Sequence, residues 1–148
     1  MERTIATIEQ ELKAEHDLYL RALADFENYR RRMDHERAYF GREAMREVAV
    51  SLLEIIDDLE RFLGFAENHT SPFIDGLRVV HSKLLKLLEH EGIHPFESVG
   101  KPFDPALHEA VGTTPAGESE TGTIVQEAQR GYLWGDQLLR TARVVVAV

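Results

Sequence analysis

No proline occurs before Pro72, and only Gly41 and Gly64 interrupt the first 71 residues. Within that stretch Ile5, Leu12, Tyr19, Phe26, Met33 and Phe40 recur at a strict spacing of seven. An α-helix returns to nearly the same face every seven residues, so these side chains form one narrow apolar seam. The pattern predicts a single helix over residues 4–63, about 90 Å long at ~1.5 Å per residue, with Thr4 or Thr7 as its cap. A helix cannot bury such a seam on itself. The expected arrangement is an elongated homodimer with two chains side by side.

The seam changes character along its length. Its companion position up to Phe40 is mixed: Ile8, Glu15, Ala22, Tyr29, Glu36 and Glu43. A tight two-stranded coil prefers both positions apolar, so loose, wet packing is expected there. Beyond Phe40 the spacing becomes Ala44, Val48, Leu52, Ile55, Leu59 and Phe62. The consecutive four-residue steps act as a stutter, which unwinds a left-handed coil. Val50, Leu53, Ile56 and Leu63 add apolar residues on other faces, as in a helix surrounded by several neighbours.

Residues 64–70 read as a break. Ser71 followed by Pro72 supplies a hydroxyl cap and a first-turn proline. Phe73, Leu77, Val80, Leu84 and Leu87 then recur at helical spacing, and Gly92 ends the helix with His90 nearby. Two copies of this helix and of residues 44–63 would make a dimeric four-helix bundle. From residue 92 onward lie seven of the ten glycines and four of the five prolines. Short apolar runs at 93–96, 109–113, 123–130, 132–134, 137–139 and 143–148 predict strands. Arg130-Gly131 and Gly135-Asp136 are read as tight turns, and Asp104-Pro105 as the start of one helical turn. The fold class is therefore α+β: a long helical stalk (1–43), a helix-bundle dimerisation region (44–92) and a small β domain (93–148).

The net charge of -9 argues against nucleic-acid binding, which needs a basic surface. There is no cysteine, so thiolate and disulfide chemistry are excluded. No apolar run approaches the ~20 residues of a membrane span, and the N-terminus lacks the apolar core of a signal peptide; a soluble, cytoplasmic chain is expected. His108-Glu109 resembles half of a zinc motif, but position 112 is Gly112 and no histidine follows. No nucleophile signature or phosphate loop is present, so neither an enzyme nor a cofactor is expected. Asp57, Asp58 and Glu60 are read as a solvated helix face rather than an acid–base pair. Arg30, Arg31 and Arg32 form the one basic run, either a solvated face or a patch for an acidic protein surface. Gly76 interrupts a good helix, either as a tolerated defect or for close approach of another backbone. In residues 103–115 Pro105 and His108 are expected to orient a capped turn, with Ala110 and Val111 filling the core.

ADFENYRRR (24–32), IIDDLERFL (55–63), Gly76, FDPALHEAV (103–111) and QRGYLW…LLRTARVVVAV (129–148) occur in this order. Together they resemble the GrpE family. The resemblance implies an adenyl-nucleotide exchange factor that docks on the ATPase domain of a DnaK-type heat-shock chaperone and opens its cleft so that ADP leaves. It implies a parallel dimer of long helices, a four-helix bundle and a β domain on each chain. By position it assigns chaperone binding to Arg30, Gly76, Phe103, Ala128 and Val146. Where the family has a second basic helix position this chain has Tyr39, with Arg37 and Arg42 nearby; Gln137 replaces an arginine, and Thr141 a proline. Arg37 and Gln137 are accordingly included among the contacts. The dimer interface is expected at Ile5, Leu12, Tyr19, Phe26, Met33, Phe40, Val48, Leu52, Ile55 and Leu59. The rival reading is a dimeric coiled-coil scaffold whose β domain binds another protein.

Overall fold

The computed structural model describes residues 2–148, and side chains from Thr4 onward. Two helices are followed by six strands: α1 (Glu2–Phe65), α2 (Pro72–His90), β1 (Ile93–Pro95), β2 (His108–Thr114), β3 (Ile124–Gln129), β4 (Tyr132–Trp134), β5 (Gln137–Arg140) and β6 (Ala142–Ala147). The fold class is α+β, as expected. The chain divides into two compact units, Met1–Met45 and Arg46–Val148.

The first unit is helical throughout its described residues. Thr4 and Thr7 lie inside α1, so neither caps it. Its seam is open within the chain: Leu12, Tyr19, Phe26 and Phe40 are each 60% or more exposed, and only Met33 is partly covered.

The second unit contains the core. The helix runs through Gly64 to Phe65, so the break begins at Ala66 rather than at the glycine. Ala49, Leu53 and Ile56 of α1 pack with Leu88 of α2 and with Ile93, Tyr132 and Leu139. Leu53, Ile56 and Tyr132 are fully buried. Burial of a Leu or Ile side chain stabilises by roughly 1.5–3 kcal/mol, so this cluster joins helices to sheet. Both helices therefore turn a second stripe inward, and most of the stripe read from the sequence stays outside. Val48 and Ile55 are 63% and 61% exposed, and Phe73 is 86% exposed.

Helix α2 starts and stops as its sequence predicts. Ser71 Oγ accepts from the Ile74 N–H at 3.3 Å, and Pro72 occupies the first turn. At the far end the Gly92 N–H donates to the Glu89 carbonyl at 2.9 Å, with Gly92 at φ +81°, a left-handed conformation that favours glycine. Trp134 Nε1 donates to the Glu91 carbonyl at 3.0 Å and ties this helix end to the sheet.

The strands form two three-stranded sheets, ordered β1-β4-β5 and β2-β6-β3. The first is antiparallel. In the second, β6 is central, parallel to β2 and antiparallel to β3. Gly135-Asp136 forms the two-residue hairpin between β4 and β5, with Gly135 at φ +59°, as a II′ turn requires of its first central residue. Arg130-Gly131 is not a hairpin turn: there the chain leaves the second sheet for the first. A Cβ on Gly131 would collide with the Phe96 ring and stand 2.7 Å from the Ala142 nitrogen, so only glycine fits. The chain crosses back at Thr141.

Ile124, Ala142, Val144 and Val146 form a second core, with Phe96 and Phe103 against it. Ala110 and Val111 do not fill it; both are exposed, Val111 at 41%. The β2–β6 register slips between Ala110 and Gly112, and this bulge breaks the in–out alternation on which the expectation relied. His108 does orient its turn. Its Nδ1 accepts from the Asp104 N–H at 2.9 Å, and Asp104 Oδ1 accepts from the Ala106 N–H at 2.9 Å. Pro105 is exposed and has no such part.

Candidate functional site

The residues assigned to chaperone binding fall in different settings. Arg30 and Arg37 lie exposed on α1 within the first unit. Beside them the Arg32 guanidinium sits 5.7 Å from the Tyr29 ring centre, which leaves its charge at the surface. The other five belong to the second unit. Gly76 is exposed on α2 and faces open space, with no atom beyond its chain neighbours and its own turn of helix backbone within 4 Å of where a Cβ would stand. Nothing within the chain requires glycine there. Ala128 on β3 and Gln137 at the start of β5 are exposed, and they sit on different sheets.

Phe103 and Val146 are brought together, but in the interior. Val146 is only 7% exposed and belongs to the second core. Phe103 is half-buried, its ring centre 5.9 Å from that of His108. These two shape the sheet from beneath, while Gly76, Ala128 and Gln137 present surface.

The acidic cluster differs from its sequence reading. Only Asp58 is a solvated side chain, 74% exposed and paired with Arg61 at 2.9 Å. Asp57 is turned inward. Its side chain is 11% exposed and that of Arg140 is 12% exposed. Arg140 Nη1 donates to Asp57 Oδ2 at 2.7 Å and Nη2 to Oδ1 at 3.0 Å, a two-pronged fork. Gln129 Nε2 donates to Asp57 Oδ2 at 2.9 Å. Two more donors of Arg140 go to the Arg130 carbonyl, Nε at 3.0 Å and Nη2 at 2.7 Å.

Glu60, one turn further on, holds His81 Nε2 at 2.9 Å and Arg130 at 3.7 Å. At the other end of the same contact, Arg46 donates to the carbonyls of Leu138 and Leu139, both at 3.2 Å. These ties join α1, α2 and both sheets. A signal for them exists in the sequence: 49, 53, 56 and 60 follow a four–three–four helical spacing, so Glu60 continues the buried stripe, with Asp57 adjacent to it. Charge counting ignored that phase.

Tyr132 lies at the centre. Its ring is 5.4 Å from the Arg140 guanidinium carbon, and its hydroxyl is buried with no protein partner. Burial pushes the phenol above its ordinary 10.0; Glu60 and Asp57 add to the shift, and Arg130 and Arg140 oppose it. Around it Asp57 and Glu60 face Arg130 and Arg140. Among the described residues no group of three or more His, Asp or Glu is placed to hold a metal ion. Nor is any helix among them long and apolar enough to cross a membrane.

The sequence matches the GrpE family model over residues 1–148. It is 38% identical to "Protein GrpE" of Desulfatibacillum aliphaticivorans over 144 residues, 94% of this chain and 69% of the relative. It is 34% identical to "Protein GrpE" of Chlorobaculum tepidum over 153 residues, 99% of this chain and 79% of the relative. Identity to "Protein GrpE" of Thermus thermophilus is 40% over 130 residues, 88% of this chain and 72% of the relative. With the family model matched from end to end and relatives aligned along nearly the whole length, the chain belongs to the GrpE family, an identity that supports a co-chaperone role beside a DnaK-type chaperone.

Proposed function

We propose that the chain is an adenyl-nucleotide exchange factor of the cytoplasm. It binds the ATPase domain of a DnaK-type chaperone, favours the open nucleotide cleft and so accelerates release of ADP. The observation that carries this reading is the family match over all 148 residues. The work is binding without bond-making. A partner that prefers the open cleft shifts the opening equilibrium by its differential affinity and by no more.

The proposed working form is a homodimer, with residues 1–43 as a stalk, 44–92 as a bundle and 93–148 as the β domain. The exposed seam from Ile5 to Phe40 supports the stalk pairing, and exposed Val48, Ile55, Phe73, Val80 and Leu87 support the bundle. Such a run of large uncovered apolar side chains is unusual on a monomer.

A fluorescent ADP analogue bound to the cognate chaperone should leave faster when this protein is added, with no nucleotide hydrolysis by the protein alone. Unchanged release at saturating protein rejects the reading. Gly76 supplies a sharper test. Because its surroundings within the chain are open, Gly76→Asp should leave helical content and dimerisation intact while weakening chaperone binding about tenfold or more. Wild-type affinity in that variant would remove Gly76 from the docking surface.

A further inference from the structure

We infer that the Asp57–Arg140 fork, with Gln129 on the same carboxylate, is the positioning element that fixes both sheets on the 46–65 part of α1, and that its stiffness sustains the rate at which a bound chaperone releases nucleotide. The rate clause rests on the exchange-factor reading above.

Apolar contact joins α1 to the first sheet through Leu53 and Ile56, but such contact is non-directional. The fork is directional. Both oxygens of Asp57 are engaged by Arg140, and Gln129 shares one of them. The adjacent edge of the guanidinium, Nε and Nη2, is held by the Arg130 carbonyl, and the Tyr132 ring lies 5.4 Å from the guanidinium carbon. The group can neither swing nor twist without losing charge-assisted bonds.

Its placement in the chain matters more. Gln129 ends β3, Arg130 begins the crossing between sheets, and Arg140 ends β5 just before the crossing back. Both passages between the two sheets are thus anchored on one helical carboxylate. Glu60 adds a second anchor to Arg130 and extends the tie to His81 of α2.

A factor that holds a cleft open must keep its own shape under load. If the sheets rock on α1, the bound factor follows the cleft as it closes and loses its preference for the open state. A compliant joint therefore lowers the maximal release rate more than it lowers affinity.

The test compares the parent with the double variant Asp57→Leu/Arg140→Met, which removes both charges together and leaves neither unpaired. Melting temperature and chaperone affinity should stay close to the parent's. The maximal ADP-release rate at saturation should fall about fivefold, the low end of ordinary site–site coupling. Because the chain has no cysteine, Glu54→Cys and Thr113→Cys give one pair of spin-label sites per chain, on α1 and β2, read in labelled protein mixed with excess unlabelled cysteine-free chain so that a dimer carries one labelled copy. The interlabel distance distribution should broaden in the double variant. Arg140→Lys, which keeps the charge but loses the fork, should show a smaller change of the same kind and replaces the double variant if that one does not fold. A parental release rate, or an unbroadened distribution, in the fork-less variant overturns the inference. A parent that fails to accelerate release overturns the exchange reading and the rate clause together, while the label distances still decide the joint.

Discussion

One helix serves two regions with opposite economies of apolar surface. In the Met1–Met45 unit, large apolar side chains recur along α1 and its own chain leaves them exposed. In the Arg46–Val148 unit, the same helix presents an inward stripe of Ala49, Leu53 and Ile56 that its own chain covers. A periodic apolar pattern thus shows that a face will be covered, not whether the cover is intramolecular. The seam follows a seven-residue repeat suited to another helix; the inward stripe instead ends in Asp57 and Glu60, which meet charged partners from the sheets.

The sharpest way to break that contrast is a pair of truncations. Leu53→Ala should destabilise the second unit by about 3 kcal/mol, read by Trp134 fluorescence during denaturant unfolding, because a fully buried leucine leaves a cavity. Phe26→Ala should leave the Trp134 transition unmoved and shift self-association to higher concentration, read by sedimentation. A Phe26 variant that destabilised the second unit directly would erase the distinction. Ser71→Ala should cost about 1 kcal/mol in the same unfolding assay, since it removes the acceptor for the Ile74 N–H.

The smallest effect comes from the tyrosines. Tyr19, Tyr29 and Tyr39 lie exposed in the first unit, and Tyr132 is buried in the second. The folded state resists ionising Tyr132, so this contribution to stability is present below the ordinary phenol value of 10.0 and is lost as pH rises through the raised one. Tyr132→Phe should leave stability at neutral pH nearly unchanged, because the hydroxyl has no partner to lose. It should also remove the late portion of the phenolate absorbance titration. An unaltered titration would mean that Tyr132 is not set apart from the rest.

Much of the architecture is readable from local chemistry. Ser71-Pro72, Gly92 and Gly135-Asp136 each act within a few residues, and each does what its residue types dictate. Strand positions follow from short apolar runs between turn residues, with bounds shifted by a residue or two. Three of the misreadings have a common cause. The β2 bulge, the crossing at Gly131 and the pairing of Asp57 with Arg140 all depend on residues far away in sequence. Asp57 looks solvated until a strand 83 positions later brings a guanidinium to it. The docking role proposed for Gly76 is legible only by resemblance, because the partner that would give it meaning is a different molecule.

The topology of the second sheet has a consequence for how the chain is made. Its central strand, β6, comes after both of the strands that flank it. During vectorial synthesis β2 and β3 emerge with nothing between them; Ile124, at the start of β3, bonds Gly100 and Lys101, but the ladders of both strands wait for residues 142–147. Until then Ile124, Phe96 and Phe103 lack the cover of Ala142, Val144 and Val146, a window of aggregation risk in the birth of a protein whose family serves chaperones.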